Sequence, residues 1–170
     1  MLSRNMSTMS EPQLLFAVLY QLPAIGIGLL LSFLIPSPPL RAVFVLPGTF
    51  VHELLHFVVG LVLNARPVSF SVWPRRSGPS RWTMGSVGFA NVRWYNGAPV
   101  GLAPLIAPAA ALWFAPDAAH WSPDVGDLKY WGLAAPVLSM CLPSWADLRI
   151  CLASALPIAL LLAAVGWFYY

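Results

Sequence analysis

Charge is what this sequence has least of. Of 170 residues 9% are charged, 9 Lys and Arg against 6 Asp and Glu, while 59% are hydrophobic. Soluble domains carry about 25% charged and about 45–50% apolar residues, so a solvated globular surface is excluded. The net charge of +3 is too small and too diluted for a nucleic-acid footprint, which needs a clustered basic face. Cysteine is nearly absent, at two residues, which excludes a disulfide scaffold, and the hydrophobicity excludes intrinsic disorder. No internal repeat or low-complexity tract is visible. What is present instead is a set of long uncharged runs.

Residues 12–40, 94–116 and 150–170 contain no charge, and residues 42–65 are interrupted only by His52, Glu53 and His56. About 20 apolar residues suffice to cross a bilayer. Membrane segments are therefore expected at 14–35, 43–63, 98–115 and 150–169. A shorter segment, 128–142, reads as a fifth span, a re-entrant piece or a helix buried among the others. The expected fold is an all-α polytopic membrane protein of four to five transmembrane or re-entrant helices, forming one membrane-embedded domain over 1–170. The first segment reads as a retained helix, because Pro36, Ser37, Pro38 and Pro39 follow it where a signal peptide would carry a small-x-small cleavage site. Pro36, Pro38 and Pro39 are expected to close the first span and Pro67 to follow the second.

Arginine sets the orientation. The 65–97 connection holds Arg66, Arg75, Arg76, Arg81 and Arg93, whereas 115–127 holds Asp117, Asp124 and Asp127 and no basic residue. The positive-inside rule puts the arginine-rich connection and the N-terminus, with Arg4, in the cytoplasm of a multi-pass protein of the cell (inner) membrane. Within that connection Val68, Phe70 and Val72 alternate with Ser69, Ser71 and Trp73. Val87, Phe89, Val92 and Trp94 are spaced by small or polar residues, and a turn-rich 74–80 lies between the halves. This is strand-like periodicity, and it predicts a small interfacial β-hairpin or sheet between the second and third spans.

Residues 52–56 read His52-Glu53-Leu54-Leu55-His56, within an apolar run that supports helix. Positions four apart share a helix face, so both imidazoles can point at one metal, with Glu53 beside the water the metal activates. Ionisable groups inside a membrane helix are costly, so a functional role is the default reading. A catalytic zinc site usually takes a third protein ligand. Asp117, His120, Asp124, Asp127 and Asp147 are the candidates. The first four crowd into one polar connection that reads most simply as a solvated loop. Asp147 lies where the last apolar helix begins, with Ser144 as a possible cap; it can complement the helix dipole, pair with Arg149, or bind metal. The run from Asn96 to Leu105 is rich in small residues, which favours close helix packing, with a lesser expectation that Asn96 holds substrate or water. Cys141 and Cys151 read as buried apolar thiols.

The pattern Pro47-Gly48-Thr49-Phe50-Val51-His52-Glu53-Leu54-Leu55-His56, with an aspartate at a later membrane segment, resembles the site-2 protease group of intramembrane zinc metalloproteases. The resemblance covers the second span, the hairpin-like connection and the start of the last span. It implies that His52, His56 and Asp147 are zinc ligands, that Glu53 activates water, and that the membrane-associated sheet receives substrate as an added strand. The sequence departs from the family's Asn-Pro-Asp-Gly pattern, having Trp145-Ala146-Asp147-Leu148 instead. It corresponds to a compact, divergent member without a regulatory peptide-binding (PDZ) domain. The expected function is zinc-dependent hydrolysis of peptide bonds in membrane proteins or peptides within or at the edge of the lipid bilayer, with no nucleic-acid partner. The alternatives are a non-proteolytic zinc-transport or zinc-handling membrane protein, and a structural subunit whose polar trio bridges helices.

Overall fold

A computed structural model of the chain describes residues 10–76, 78, 82–119 and 121–169; Arg4, Arg81 and His120 lie outside them. The chain is mostly helical. In order it forms α1 (Glu11–Leu34), α2 (Pro38–Val62), β1 (Pro67–Ser71), β2 (Arg75–Arg76), β3 (Trp82–Thr83), β4 (Ser86–Phe89), α3 (Gly97–Gly101), α4 (Ile106–Ala111), α5 (Val125–Met140) and α6 (Trp145–Tyr169). Its contacts fall into two compact units, Met1–Gly48 with Ile106–Cys141 and Thr49–Leu105 with Leu142–Tyr170.

Helices α1 and α2 are long and apolar enough to cross a membrane. At 24 and 25 residues they reach about 36–38 Å, against a hydrocarbon core of about 30 Å. The Gln13 side chain accepts from the Ser10 backbone N–H at 3.1 Å and so ties down the start of α1. Pro36, Pro38 and Pro39 divide differently from the sequence expectation: Pro38 and Pro39 are the first residues of α2. A helix start suits proline, because its missing N–H has no intrahelical partner there in any case.

The stretch expected as a single third span, 98–115, is not one helix. Prolines at 99, 104 and 108 each lack an N–H and crowd the preceding turn. The chain answers with α3, a 3-10 turn at Ala103–Leu105, α4 and a second 3-10 turn at Leu112–Phe114. Helix α5 begins on Asp124, whose side chain accepts from Asp127 N at 3.0 Å while Asp127 accepts from Asp124 N at 3.0 Å. Its 16 residues reach about 24 Å, short of the hydrocarbon thickness.

In the first unit α1 packs on α5 through a stripe at helical spacing, Ala17, Tyr20, Gln21, Ala24 and Gly28, all buried. Small residues let the backbones approach, and Gly28 lies directly against the Ala135 carbonyl and Ser139. The polar groups in this contact satisfy one another. Tyr20 donates to Asp127 at 2.6 Å, Tyr130 donates to Gln21 at 2.6 Å, Gln21 donates to the Ala111 carbonyl at 2.9 Å, and Trp131 donates to the Tyr20 carbonyl at 2.8 Å. Phe16, Tyr20, Trp121, Tyr130 and Trp131 close around them.

In the second unit the strands form the expected hairpin, with β1 antiparallel to β4 and β2 antiparallel to β3. The chain leaves α2 through Asn64 and Arg66, both with left-handed backbone (φ 55° and 53°). Ala90 and Asn91 N–H donate to the Arg66 and Ala65 carbonyls, prolonging the ladder. A register shift follows between Pro67 and Ser69. The hairpin docks along α2. Phe70 meets Phe50 and Phe57 edge-on, at 6.3 and 5.8 Å between ring centroids, and the Phe89 ring lies against Gly60, where a side chain would collide. The buried stripe of α2 in this unit is Thr49, His52, Glu53, His56 and Gly60, while Phe50, Leu54, Val58 and Leu61 are exposed. The polar face points in and the apolar face out.

Candidate metal centre

Helical spacing brings His52 and His56 onto one face of α2, and the two Nε2 atoms lie 3.0 Å apart. Asp147, in the first turn of α6, faces both: Oδ2 is 3.3 Å from His52 Nε2 and Oδ1 is 3.0 Å from His56 Nε2. All three are buried, at 8%, 5% and 7% exposure. Their ligand atoms lie within 4.8 Å of one another, and the group could hold a metal ion. Glu53, equally buried at 8% exposure, lies within electrostatic reach of all three.

His56 and Asp147 are each held by a further contact. His56 Nδ1 lies 2.7 Å from the Val100 carbonyl, an acceptor only, so Nδ1 carries the proton and Nε2 presents its lone pair. That lone pair faces a carboxylate oxygen and the other imidazole, an arrangement that a shared cation could satisfy. Asp147 is set by Ser144: Ser144 N–H donates to Oδ2 at 2.6 Å, and Asp147 N–H donates to Ser144 Oγ at 3.3 Å. This reciprocal cap fixes the side chain at the helix start, with Oδ2 shared between Ser144 N–H and His52 and Oδ1 facing His56. The capping and ligating readings of Asp147 are thus compatible. Arg149 takes neither role from it, its guanidinium lying over the Trp145 ring at 5.4 Å from the centroid.

The approach of α3 to α6 makes the arrangement possible. Gly97 lies against Ser154 and the Ile150 carbonyl, and Gly101, four residues on, lies against the Asp147 carbonyl and Cys151. Two glycines on one face let the short helix sit on α6 without intervening side chains. Val100, between them in sequence, is wholly buried and delivers its carbonyl to His56.

The other sequence candidates have separate occupations. Asp124 caps α5. Asp127 accepts from Tyr20 and from Trp121 Nε1 at 3.0 Å, and Asp117 accepts from Ala119 N–H at 3.2 Å. Asn96 spends its amide on the backbone, accepting from Arg93 N–H at 2.7 Å and donating to the Asn91 and Leu63 carbonyls at 3.0 and 3.2 Å. Cys141 is buried and Cys151 half-buried, both as free thiols.

Three participants escape a reading of residue types. Val100 acts through its backbone, so no side-chain pattern announces it. Gly101 was legible only as packing. Gly85, just before β4, lies against Glu53 and Thr49, and nothing in its local sequence separates it from an ordinary turn glycine. Compared with protein-family models, with curated proteins and with solved structures, the chain matches none of them.

Proposed function

We propose that the chain is a zinc-dependent peptidase that hydrolyses peptide bonds of membrane-associated substrates, with His52, His56 and Asp147 as ligands and Glu53 as the base. The observation that carries this reading is the buried convergence of two α2 imidazoles and the α6 carboxylate, with Glu53 on the same turn of α2. The donor set suits zinc. Bonds of about 2.0–2.1 Å in a tetrahedron imply donor separations of about 3.3–3.4 Å; the two imidazole Nε2 atoms are 3.0 Å apart, and one ligand atom from each of the three residues lies within 4.8 Å of the others. Three protein donors leave a fourth position for water or substrate, the pattern of catalytic rather than structural sites.

Bound zinc would polarise the scissile carbonyl and lower the pKa of water. Glu53 takes the proton from the attacking water and returns it to the departing amine. Val100 holds His56 in the tautomer that ligation needs, and Ser144 holds Asp147 at the first turn of α6. The hairpin beside α2 offers extended backbone to a substrate strand, which matters because a helical substrate hides its carbonyls in internal bonds. A bilayer setting is supported by the inward polar and outward apolar faces of α2. We read α6 as a further crossing, with the arginine-rich connection on the cytoplasmic side.

Metal analysis of purified wild type should find one zinc per chain, and His52→Ala and Asp147→Ala should each lose it. Zinc retained in Asp147→Ala would remove that residue from the ligand set. Glu53→Gln should keep the metal and abolish cleavage of membrane peptides. Cleavage surviving that change would refute the peptidase, and transport or handling of the metal would then be the better reading.

A further inference from the structure

We propose that Gly85 is a positioning residue through which the hairpin sets where the Glu53 carboxylate points. The inference rests on the reading of Glu53 as the base. A methyl group at Gly85 would lie 2.7 Å from Glu53 Cγ, 2.7 Å from Glu53 Oε1 and 2.7 Å from Thr49 Cγ2. Ordinary contact between such atoms is about 3.5–4.0 Å. The backbone at this point is therefore seated directly on the carboxylate.

The glycine serves space rather than conformation. Among the described glycines none has positive φ, so an alanine could adopt the backbone of Gly85 and would fail only by collision. Neither side can easily give way. Thr49 and Glu53 are one turn apart on α2 and both are buried. On the hairpin side, Phe70 against Phe50 and Phe57, and Phe89 against Gly60, pin the strands to the same helix. Glu53 is thus confined between its own helix and the start of β4, and its rotamer is chosen by a segment more than thirty residues away. A general base must lie within hydrogen-bond reach of the proton it takes, so a displacement of about 1 Å is enough to lower the rate sharply. The atoms nearest to an added methyl belong to Glu53 and Thr49 and none to a proposed zinc ligand, so the ligands are expected to keep their places.

The test compares wild type with Gly85→Ala, Gly88→Ala and the double variant Gly85→Ala/Thr49→Ser, each purified as the full chain. Gly88→Ala perturbs the same strand away from Glu53, since the added methyl would meet Ser69 Oγ. Gly85→Ala is expected to retain one zinc per chain while cleavage of a membrane peptide falls at least tenfold, mainly in kcat. Thr49→Ser, by removing Cγ2, should restore part of the loss. Carbodiimide labelling of Glu53, read by mass spectrometry, reports the same displacement without catalysis: labelling should rise severalfold in Gly85→Ala and stay at the wild-type level in Gly88→Ala. Unchanged Glu53 labelling in Gly85→Ala, or equal labelling changes in both glycine variants, overturns the proposal whether or not the protein is a peptidase. So does loss of zinc along with activity. If labelling shifts as expected but Glu53→Gln still cleaves, Gly85 keeps its positioning role and the peptidase reading fails.

Discussion

Ser144 divides two tasks between its side chain and its backbone. Its hydroxyl accepts from Asp147 N–H and caps α6, while its own backbone N–H holds Asp147 Oδ2. Ser144→Ala removes the hydroxyl and keeps the N–H. Loss of an N-cap costs about 1 kcal/mol. We expect a modest fall in Tm, with zinc affinity, measured by competition with a chromophoric chelator, close to that of wild type. A loss of affinity of about tenfold or more would mean that the hydroxyl, and not the backbone alone, sets the carboxylate. Tyr20 tests a different residue-scale bond. Tyr20→Phe removes the hydroxyl donor from Asp127, which keeps Trp121 Nε1 and Asp124 N–H, and should lower the midpoint of thermal or denaturant unfolding.

Among the elements, the α3–α6 contact carries the most consequence for its size. Five residues of α3 bring a carbonyl to His56 and seat themselves against the backbone of Asp147. Gly101→Val would force a branched side chain towards the Asp147 carbonyl, 2.6 Å from where a Cβ would stand. Metal content should fall although no ligand has been changed, while Gly166→Val, also glycine-to-valine and in open space, should leave it intact. Metal retained in Gly101→Val would mean that α6 holds Asp147 in place unaided. Legibility differs from element to element. The His52–His56 spacing and the position of Asp147 could be read from residue types, because ligation depends on side chains at fixed intervals. The hairpin was visible in the alternation from Val68 to Trp73, although Ala90 to Trp94 proved not to be strand. Hydropathy over 98–115 suggested one continuous helix, yet three prolines that hydropathy does not weigh divide it into α and 3-10 pieces. The Val100 carbonyl left no trace in the sequence because every residue has one.

For the whole molecule, the proposed metal ties α2 to α6 across more than ninety residues of sequence. A ligand bound only by the folded state stabilises it by RT ln(1 + [L]/Kd), about 2.7 kcal/mol at a hundredfold excess over Kd. Chelation should therefore lower the Tm of wild type, zinc should restore it, and His52→Ala should respond to neither. A wild-type melting curve indifferent to chelator would argue against a stoichiometric metal. The outward apolar faces fit the same scale of reasoning. In a chain with 9% charged residues, His52, Glu53, His56, Asp127 and Asp147 are nevertheless buried, while Arg66, Arg75, Arg76, Arg93, Lys129 and Arg149 stay exposed.

The short passage from α2 into β1 has a consequence for how this chain can change length. Between Val62 and Pro67 stand four residues, two of them left-handed, and the register then shifts before Ser69. Side chains alternate faces along a strand, so removing one residue here would turn Phe70 away from α2 and present a serine in its stead. Gly85 would be carried off Glu53 by the same slip. Insertions and deletions in this passage should accordingly be as poorly tolerated as substitutions of the histidines themselves, even though it holds no ligand.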